Sequence, residues 1–192
     1  MIAGILLLAD IGSRLGGAAP LFEPSGSRRL LEHALRVMTA APLSPVVVVL
    51  GSGADDVLPA VELYGARPVA RDRWKEGQAA SLACGLAEVP DAEAALVALG
   101  DERHVSAAAI RRVLAARSDD VLAVRATYDG EPGHPVLLER RLFGPLRDVT
   151  GDRGARNLLL SVPVREMPCD DLGGGENAGT RAQLEALRES LG

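Results

Sequence analysis

A loop of small residues with a single arginine follows the first apolar run of the chain. After Leu8 and Ala9, this loop reads Asp10, Ile11, Gly12, Ser13, Arg14, Leu15 and Gly16. Small residues let a backbone approach a ligand, free amide groups can face anionic oxygens, and a guanidinium adds positive charge. The pattern therefore predicts a loop that holds a phosphate-bearing ligand at the end of a buried strand.

A carboxylate follows a second buried strand, in the dipeptide Gly100-Asp101. In an open α/β sheet, the carboxyl end of a central strand faces the ligand crevice. A hard cation that bridges phosphates would need an oxygen ligand there. The alternative interpretation is that Asp101 only caps the turn that follows it. The dipeptide by itself leaves both interpretations open.

Three small residues, Gly77, Ser81 and Gly85, follow one another at intervals of four in a segment with a helical pattern. Such a stripe allows something to approach the helix closely. Either a nucleobase or the neighbouring strand would fit this description, and packing against a strand is the commoner case.

Two further segments carry side chains suited to an anionic ligand. Gly133-His134-Pro135 places a histidine at the entrance of a strand, between two residues that restrict the backbone. Asp152 precedes a helical pattern as an expected N-cap, and Arg153 and Arg156 in that pattern could bind an anion. A structural histidine and two solvated arginines are the alternatives.

The elements that must position these residues alternate along the chain. Strand-like apolar runs lie at 2–9, 45–51, 66–70, 93–99, 121–127, 134–139 and 163–168. Helical patterns lie at 27–41, 53–64, 77–88, 106–117, 152–161 and 180–191. Regular alternation of this kind predicts a mostly parallel sheet covered by helices on both sides. The short link at 128–133 predicts one antiparallel element near 134–139.

Composition limits the class of protein. The 192 residues suit one domain, 1–192, and 47% of them are hydrophobic. A net charge of −5 with scattered arginines argues against nucleic acid as a partner. The first apolar run is too short for a membrane span, and we expect no membrane partner. Cys84 and Cys169 have no metal-ligand spacing, which favours a reduced, cytoplasmic setting.

Taken together, these segments resemble the MobA-like nucleotidyltransferases, and among them the molybdenum cofactor cytidylyltransferases. The last nine positions of the family pattern L-A-A-G-x-S-x-R-x-G fall on residues 8–16. The pattern E-G-x-x-x-S-L-x-x-G falls on 76–85, and G-D-Q-P on 100–103, where only its first half is kept. G-H-P stands unchanged at 133–135 and G-D-R-G-A-R at 151–156. Several motifs in the family's order make a chance resemblance improbable.

The resemblance implies a three-layer α/β/α Rossmann-like nucleotidyltransferase fold with a mostly parallel mixed sheet. It implies transfer of CMP or GMP from CTP or GTP to molybdopterin with Mg²⁺. Arg14 and Asp101 would be catalytic, with Asp101 the metal ligand, and His134, Arg153 and Arg156 would bind the acceptor. The nucleotide would contact Leu8, Ala9, Asp10, Gly12, Ser13, Gly16, Gly77 and Ser81.

The departures from the family pattern fall mainly where the triphosphate is expected. Asp10 stands where the family has glycine, Gly12 where it has serine, and Pro20 where it has lysine. The C-terminal D-I-D-T-P-E-D falls on 177–183, which lacks its second acidic metal ligand. One cation is lost and one anion is gained beside the expected phosphates.

Three hypotheses follow from these matches and departures. The first is an active nucleotidyltransferase with a divergent phosphate loop. The second is a catalytically impaired relative that binds a nucleotide or molybdopterin, or that assists a molybdoenzyme. The third is a nucleotidyltransferase for another phosphorylated small molecule.

Overall fold

The computed structural model describes residues 1–8, 27–51, 54, 58–70, 77–100, 105–149, 151 and 154–172. Its centre is a sheet of seven strands. They are β1 (Ile2–Leu8), β2 (Val46–Leu50), β3 (Arg67–Ala70), β4 (Ala94–Leu99), β5 (Ala123–Tyr128), β6 (Glu131–Glu139) and β7 (Val164–Pro168). Their spatial order is β3-β2-β1-β4-β6-β5-β7. Each of the seven predicted strands is confirmed.

The sheet is mixed in the way the short link after β5 predicts. β1 pairs in parallel with β2 and β4, and β2 with β3, while β5 pairs in parallel with β7. Only β6, among the described strands, runs antiparallel to its neighbours, β4 and β5. The predicted fold class, an α/β fold with a mostly parallel sheet and one antiparallel element, is therefore confirmed.

The predicted start of β6 at residue 134 is wrong, because the strand begins at Glu131. Asp129 and Gly130, with φ values of 52° and 77°, make a tight two-residue turn after β5. Pairing of β6 with β4 reaches only as far as Val136 opposite Val97. Prolines 132 and 135 therefore lie beyond that ladder, where a missing amide donor costs little.

Helices cover both faces of the sheet. They are α1 (Ser27–Ala40), α2 (Gln78–Ala87), α3 (Ala107–Ala115), α4 (Phe143–Asp148) and α5 (Gly154–Leu160). Leu35 and Met38 of α1 and Ile110 of α3 pack in one apolar layer. Leu86 of α2 and Leu146 of α4 pack in the layer on the opposite face. The result is the predicted three-layer arrangement.

Two helix predictions had different outcomes. The pattern at 53–64 predicted a helix, but residues 58–64 contain only the 3₁₀ turn Leu58–Ala60, and Pro59 lies inside it. That part of the prediction is wrong, since proline cannot continue an α-helix. The predicted helix at 180–191 lies outside the described residues. Within the described part of the chain, no helix is long and apolar enough to cross a bilayer.

Both cysteines are free and buried. Cys84 packs in the apolar layer with α4, as expected for a small hydrophobic residue. Burial raises the pKa of the Cys169 thiol, which keeps it protonated and unreactive at neutral pH.

Gly85 allows α2 to pack closely on the sheet. A β-carbon at this position would lie 2.6 Å from Ile5 Cγ2 and 3.2 Å from Val49 Cγ2. Both are rigid, buried strand side chains. The stripe of small residues therefore serves packing at Gly85, and the alternative of a nucleobase does not apply there.

Gly85→Ala should lower the free energy of unfolding by ~1–3 kcal/mol because it overpacks the contact between α2 and the sheet. Gly144→Ala is the matched control, since a β-carbon at Gly144 in α4 meets nothing within 4 Å. That control should be neutral or stabilise by up to ~1 kcal/mol. Urea denaturation of both variants measures the difference, and equal effects would contradict this account of Gly85.

Candidate functional site

A cavity of about 390 Å³ lies on the face of the sheet that is covered by α2, α4 and α5. Its apolar surface comes from residues of the central strands and of the three helices. These residues include Leu7, Ala79, Leu82, Val97, Val136, Leu138, Leu146, Ala155 and Leu159. Leu7 and Val97 belong to β1 and β4, near the carboxyl ends of these strands. An apolar cavity of this size with a few polar groups suits a small-molecule ligand.

Polar side chains from four elements surround the same cavity. Gln78 begins α2, His134 lies on β6, Arg156 on α5 and Arg125 on β5, while Glu131 lies at the start of β6. Three of the predicted motifs, at 76–85, 133–135 and 151–156, thus contribute to one cavity. Of the predicted acceptor residues, His134 and Arg156 line it, and Arg153 lies outside the described residues.

The first turn of α2 depends on Gly77. Its φ of 96° and ψ of −180° lie in a region that only glycine adopts readily. The Ser81 amide and hydroxyl both donate hydrogen bonds to the Gly77 carbonyl oxygen, at 3.4 Å and 3.5 Å. Ser81 is buried, and it is not among the residues that line the cavity. Both residues shape the helix start that carries Gln78, and their predicted contact with a nucleotide stays a prediction.

The ends of the two central strands are fixed against each other. The Gly100 amide donates a hydrogen bond of 2.9 Å to the Leu7 carbonyl oxygen. A β-carbon on Gly100 would lie 2.6 Å from Leu8 Cδ2, so only glycine fits beside that side chain. Leu8 itself packs in the apolar layer on the face opposite the cavity. The predicted contact of Leu8 with a nucleotide stays a prediction.

Tyr128 holds the G-H-P segment in place. Its hydroxyl donates a hydrogen bond of 3.0 Å to the His134 carbonyl oxygen. A β-carbon on Gly133 would lie 2.7 Å from Tyr128 Cδ2, so the glycine lets the ring pack directly on the strand. Sequence reasoning missed this tyrosine, although its place immediately before the Asp-Gly turn was a usable signal.

Arg125 is the other residue that sequence reasoning missed. It stands in the middle of β5 between buried apolar neighbours, and it is 8% exposed. Its Nη2 lies 2.5 Å from Oε1 of Glu166 on the neighbouring strand β7. An arginine inside an otherwise apolar strand pattern was the signal that could have singled it out.

The other predicted nucleotide and metal residues lie outside the described residues. These are Ala9, Asp10, Gly12, Ser13, Arg14, Gly16 and Asp101. Among the residues that the structure describes, no group of three histidine, cysteine, aspartate or glutamate side chains could hold a metal ion. Asp101 as a metal ligand stays a prediction.

The sheet and the cavity beside its central strand ends define an α/β protein with a ligand crevice at the carboxyl ends of parallel strands. The family model of the MobA-like NTP transferase domain matches residues 4–166. The chain belongs to this family and is by class a nucleotidyltransferase, as the motifs predicted.

Individual relatives align with almost the whole of the chain. Rv0371c from Mycobacterium tuberculosis H37Rv is 30% identical, with a TM-score of 0.84 over 98% of this chain and 97% of that one. The same protein has been solved in complex with manganese, at 29% identity, with a TM-score of 0.78 and 98% of both chains covered. Nicotine blue oxidoreductase from Paenarthrobacter nicotinovorans is 30% identical over 97% of this chain and 96% of that protein.

A more distant structure extends the fold comparison. Molybdopterin-guanine dinucleotide biosynthesis protein A from Archaeoglobus fulgidus is 17% identical, with a TM-score of 0.68 over 100% of this chain and 98% of that one. At this identity the likeness shows the fold alone.

Proposed function

We propose that this chain transfers CMP or GMP from CTP or GTP to a phosphorylated small molecule that binds in the cavity, with molybdopterin as the first acceptor to test. The observation that carries the proposal is that Gln78, His134 and Arg156, from three separate family motifs, line one cavity beside the central strand ends. The family membership supports the nucleoside triphosphate as donor.

The proposed reaction exchanges one phosphoanhydride bond for another. An oxygen of the acceptor phosphate attacks the α-phosphorus of the triphosphate, the bond to the β-phosphate breaks, and pyrophosphate leaves. The protein contributes mainly by positioning the two substrates and by stabilising charge. Arg14 would hold the triphosphate, while Arg156 and His134 would orient the acceptor. A divalent cation, when bound, would offset the charge that develops on the phosphates.

The direct test incubates the protein with molybdopterin, a divalent cation, and CTP or GTP in turn. Pyrophosphate release and the mass of the dinucleotide product are the readouts. We expect product with at least one of the two nucleotides. Binding of a nucleotide by calorimetry without transfer to any acceptor would instead support the impaired accessory protein. Transfer to other phosphorylated acceptors but not to molybdopterin would support the third hypothesis.

Arg156→Met tests the acceptor role of the cavity. Loss of a charge-assisted hydrogen bond should raise the KM for the acceptor roughly tenfold. The KM for the triphosphate should change little. Arg141→Met is the control, because Arg141 is exposed and does not line the cavity. An equal change in both variants, or a change in the triphosphate KM alone, would remove Arg156 from the acceptor site.

A second candidate function is suggested by the 30% identity to nicotine blue oxidoreductase over almost the whole of both chains. Here the chain would catalyse a redox reaction between nicotine blue and a second redox partner. Incubation of nicotine blue with the protein and a panel of electron donors and acceptors, followed by its absorbance, tests this candidate. A change in absorbance that depends on both the protein and the redox partner would favour it over nucleotidyl transfer.

A further inference from the structure

We propose that Arg125 determines which ligands the cavity accepts, by binding an oxyanion group, phosphate or carboxylate, on the acceptor. The identity of the ligand as an acceptor rests on the proposed function. The anion site itself rests on the geometry of Arg125.

The first observation is a buried guanidinium nitrogen without a partner. The Arg125 side chain is 10% exposed and lines the cavity. Its Nε is fully buried and has no hydrogen-bond partner among the residues that the structure describes. Buried donors are nearly always satisfied, because an unpaired one loses its bond to water without compensation. An oxyanion bound to the guanidinium from the cavity would offset the cost of this unpaired donor.

The ion pair with Glu166 does not by itself account for an arginine at this position. Glu166 accepts from Nη2 only, and its own side chain is 52% exposed. A guanidinium carries five N–H donors in a planar fork that matches two oxygens of a phosphate or carboxylate. For stability alone, an apolar side chain between Val124 and Ala126 would serve as well as a buried guanidinium.

The surroundings of Arg125 fit an anion that enters from the cavity. Val136 pairs with Arg125 across the strands, and His134, two residues before Val136 in β6, lines the same cavity. Arg156 lines the same cavity and is exposed, so the two arginines bracket it from the sheet and from α5. Glu131 is also exposed, and water screens its charge more than it screens the buried guanidinium.

Two variants should change anion binding in opposite directions. Arg125→Met removes the guanidinium and keeps an apolar side chain of similar length, and it should weaken binding of inorganic phosphate or acetate tenfold or more. Glu166→Gln leaves Arg125 without its carboxylate partner and should tighten binding of the same anion by a factor of about two to five. If the ion pair were purely structural, Glu166→Gln would not tighten anion binding. Anion binding that is unchanged or weaker in Glu166→Gln would therefore overturn the proposal.

The binding is measured on the full-length protein with named probes. The ¹⁵N–¹H signal of Arg125 Nε, assigned by its loss in Arg125→Met, should shift on titration with phosphate, with acetate, or with both. Sodium chloride at equal ionic strength should leave it unmoved. A shift with phosphate alone assigns a phosphate-bearing ligand, and a shift with acetate alone a carboxylate. No shift with either anion, or the same shift with chloride, would refute the site.

Controls separate this proposal from the proposed function. Arg165→Met removes an arginine of β7 that bonds Asp120 and the Ala116 carbonyl oxygen instead of lining the cavity, and it should leave anion binding unchanged. Arg125→Lys keeps the charge but loses the fork, and should restore only part of the affinity. These readouts need no turnover. Absence of nucleotidyl transfer would therefore leave the anion site standing, whereas transfer without anion binding at Arg125 would refute only the site.

Discussion

Asp101→Ala should reduce nucleotidyl transfer by roughly a hundredfold or more, the scale on which electrostatic stabilisation of a transition state is lost. The residue before it, Gly100, donates a hydrogen bond from its amide to the Leu7 carbonyl oxygen, and the Leu8 side chain packs directly against its α-carbon. Gly100 is therefore held at the junction of the two central strands. Since hard cations require oxygen ligands, we propose the Asp101 carboxylate, next along the chain, as a ligand for a divalent cation.

The comparison variants make this result specific. Asp101→Asn keeps the size of the side chain and removes its charge, and it should lose activity to a similar extent. Asp119→Ala changes an exposed carboxylate outside the cavity and should retain full activity. Steady-state kinetics with manganese or magnesium at several concentrations measure all three. Unchanged turnover in Asp101→Ala would show that the required carboxylate lies elsewhere.

The second kinetic consequence concerns Arg14. Arg14→Ala should mainly raise the KM for the triphosphate, because we propose this guanidinium as the cation of the first loop. A fall in kcat without a change in KM would assign Arg14 to the transition state alone.

The sheet was predictable from the sequence because its central strands are apolar on both faces. Val46–Leu50 and Ala94–Leu99 read as buried parallel strands, and both are found there. Helix α4 was not predicted, since Gly144 and Pro145 in a six-residue segment oppose a helix by their propensities. Packing of Phe143 and Leu146 into the core outweighs those propensities. Tertiary contacts thus decide the element where the local signal is weak.

The site was predictable to the extent that its residues stand in contiguous motifs. His134 and Arg156 belong to such motifs, and both line the cavity. Arg125 was missed because its significance depends on Glu166, 41 residues away, and on the cavity that Arg125 lines. No local pattern encodes that neighbourhood. The role that we propose for Arg125 in ligand specificity can therefore be recognised only once the pairing of β5 with β7 is known.

The double change Asp10→Gly and Pro20→Lys should tighten CTP or GTP binding tenfold or more. Asp10 adds a negative charge where the family resemblance expects phosphates, and Pro20 replaces the cation that the family has there. At ~4–6 Å and intermediate dielectric, such a repulsion amounts to a few kcal/mol. Since about 1.4 kcal/mol corresponds to a factor of ten, removing the anion and restoring the cation should exceed that factor.

Salt dependence distinguishes this electrostatic effect from a change in loop shape. Calorimetry at low and high ionic strength should show a gain that shrinks as salt rises, because partly exposed charges are screened. Asp10→Asn, which removes the charge without altering the side-chain size, should recover part of the gain. A gain that stays constant with salt would indicate a backbone effect of glycine at position 10. A double variant that binds no better than the parent at low salt would show that the loop serves a different ligand, and nicotine blue of the second candidate function is then the one to titrate.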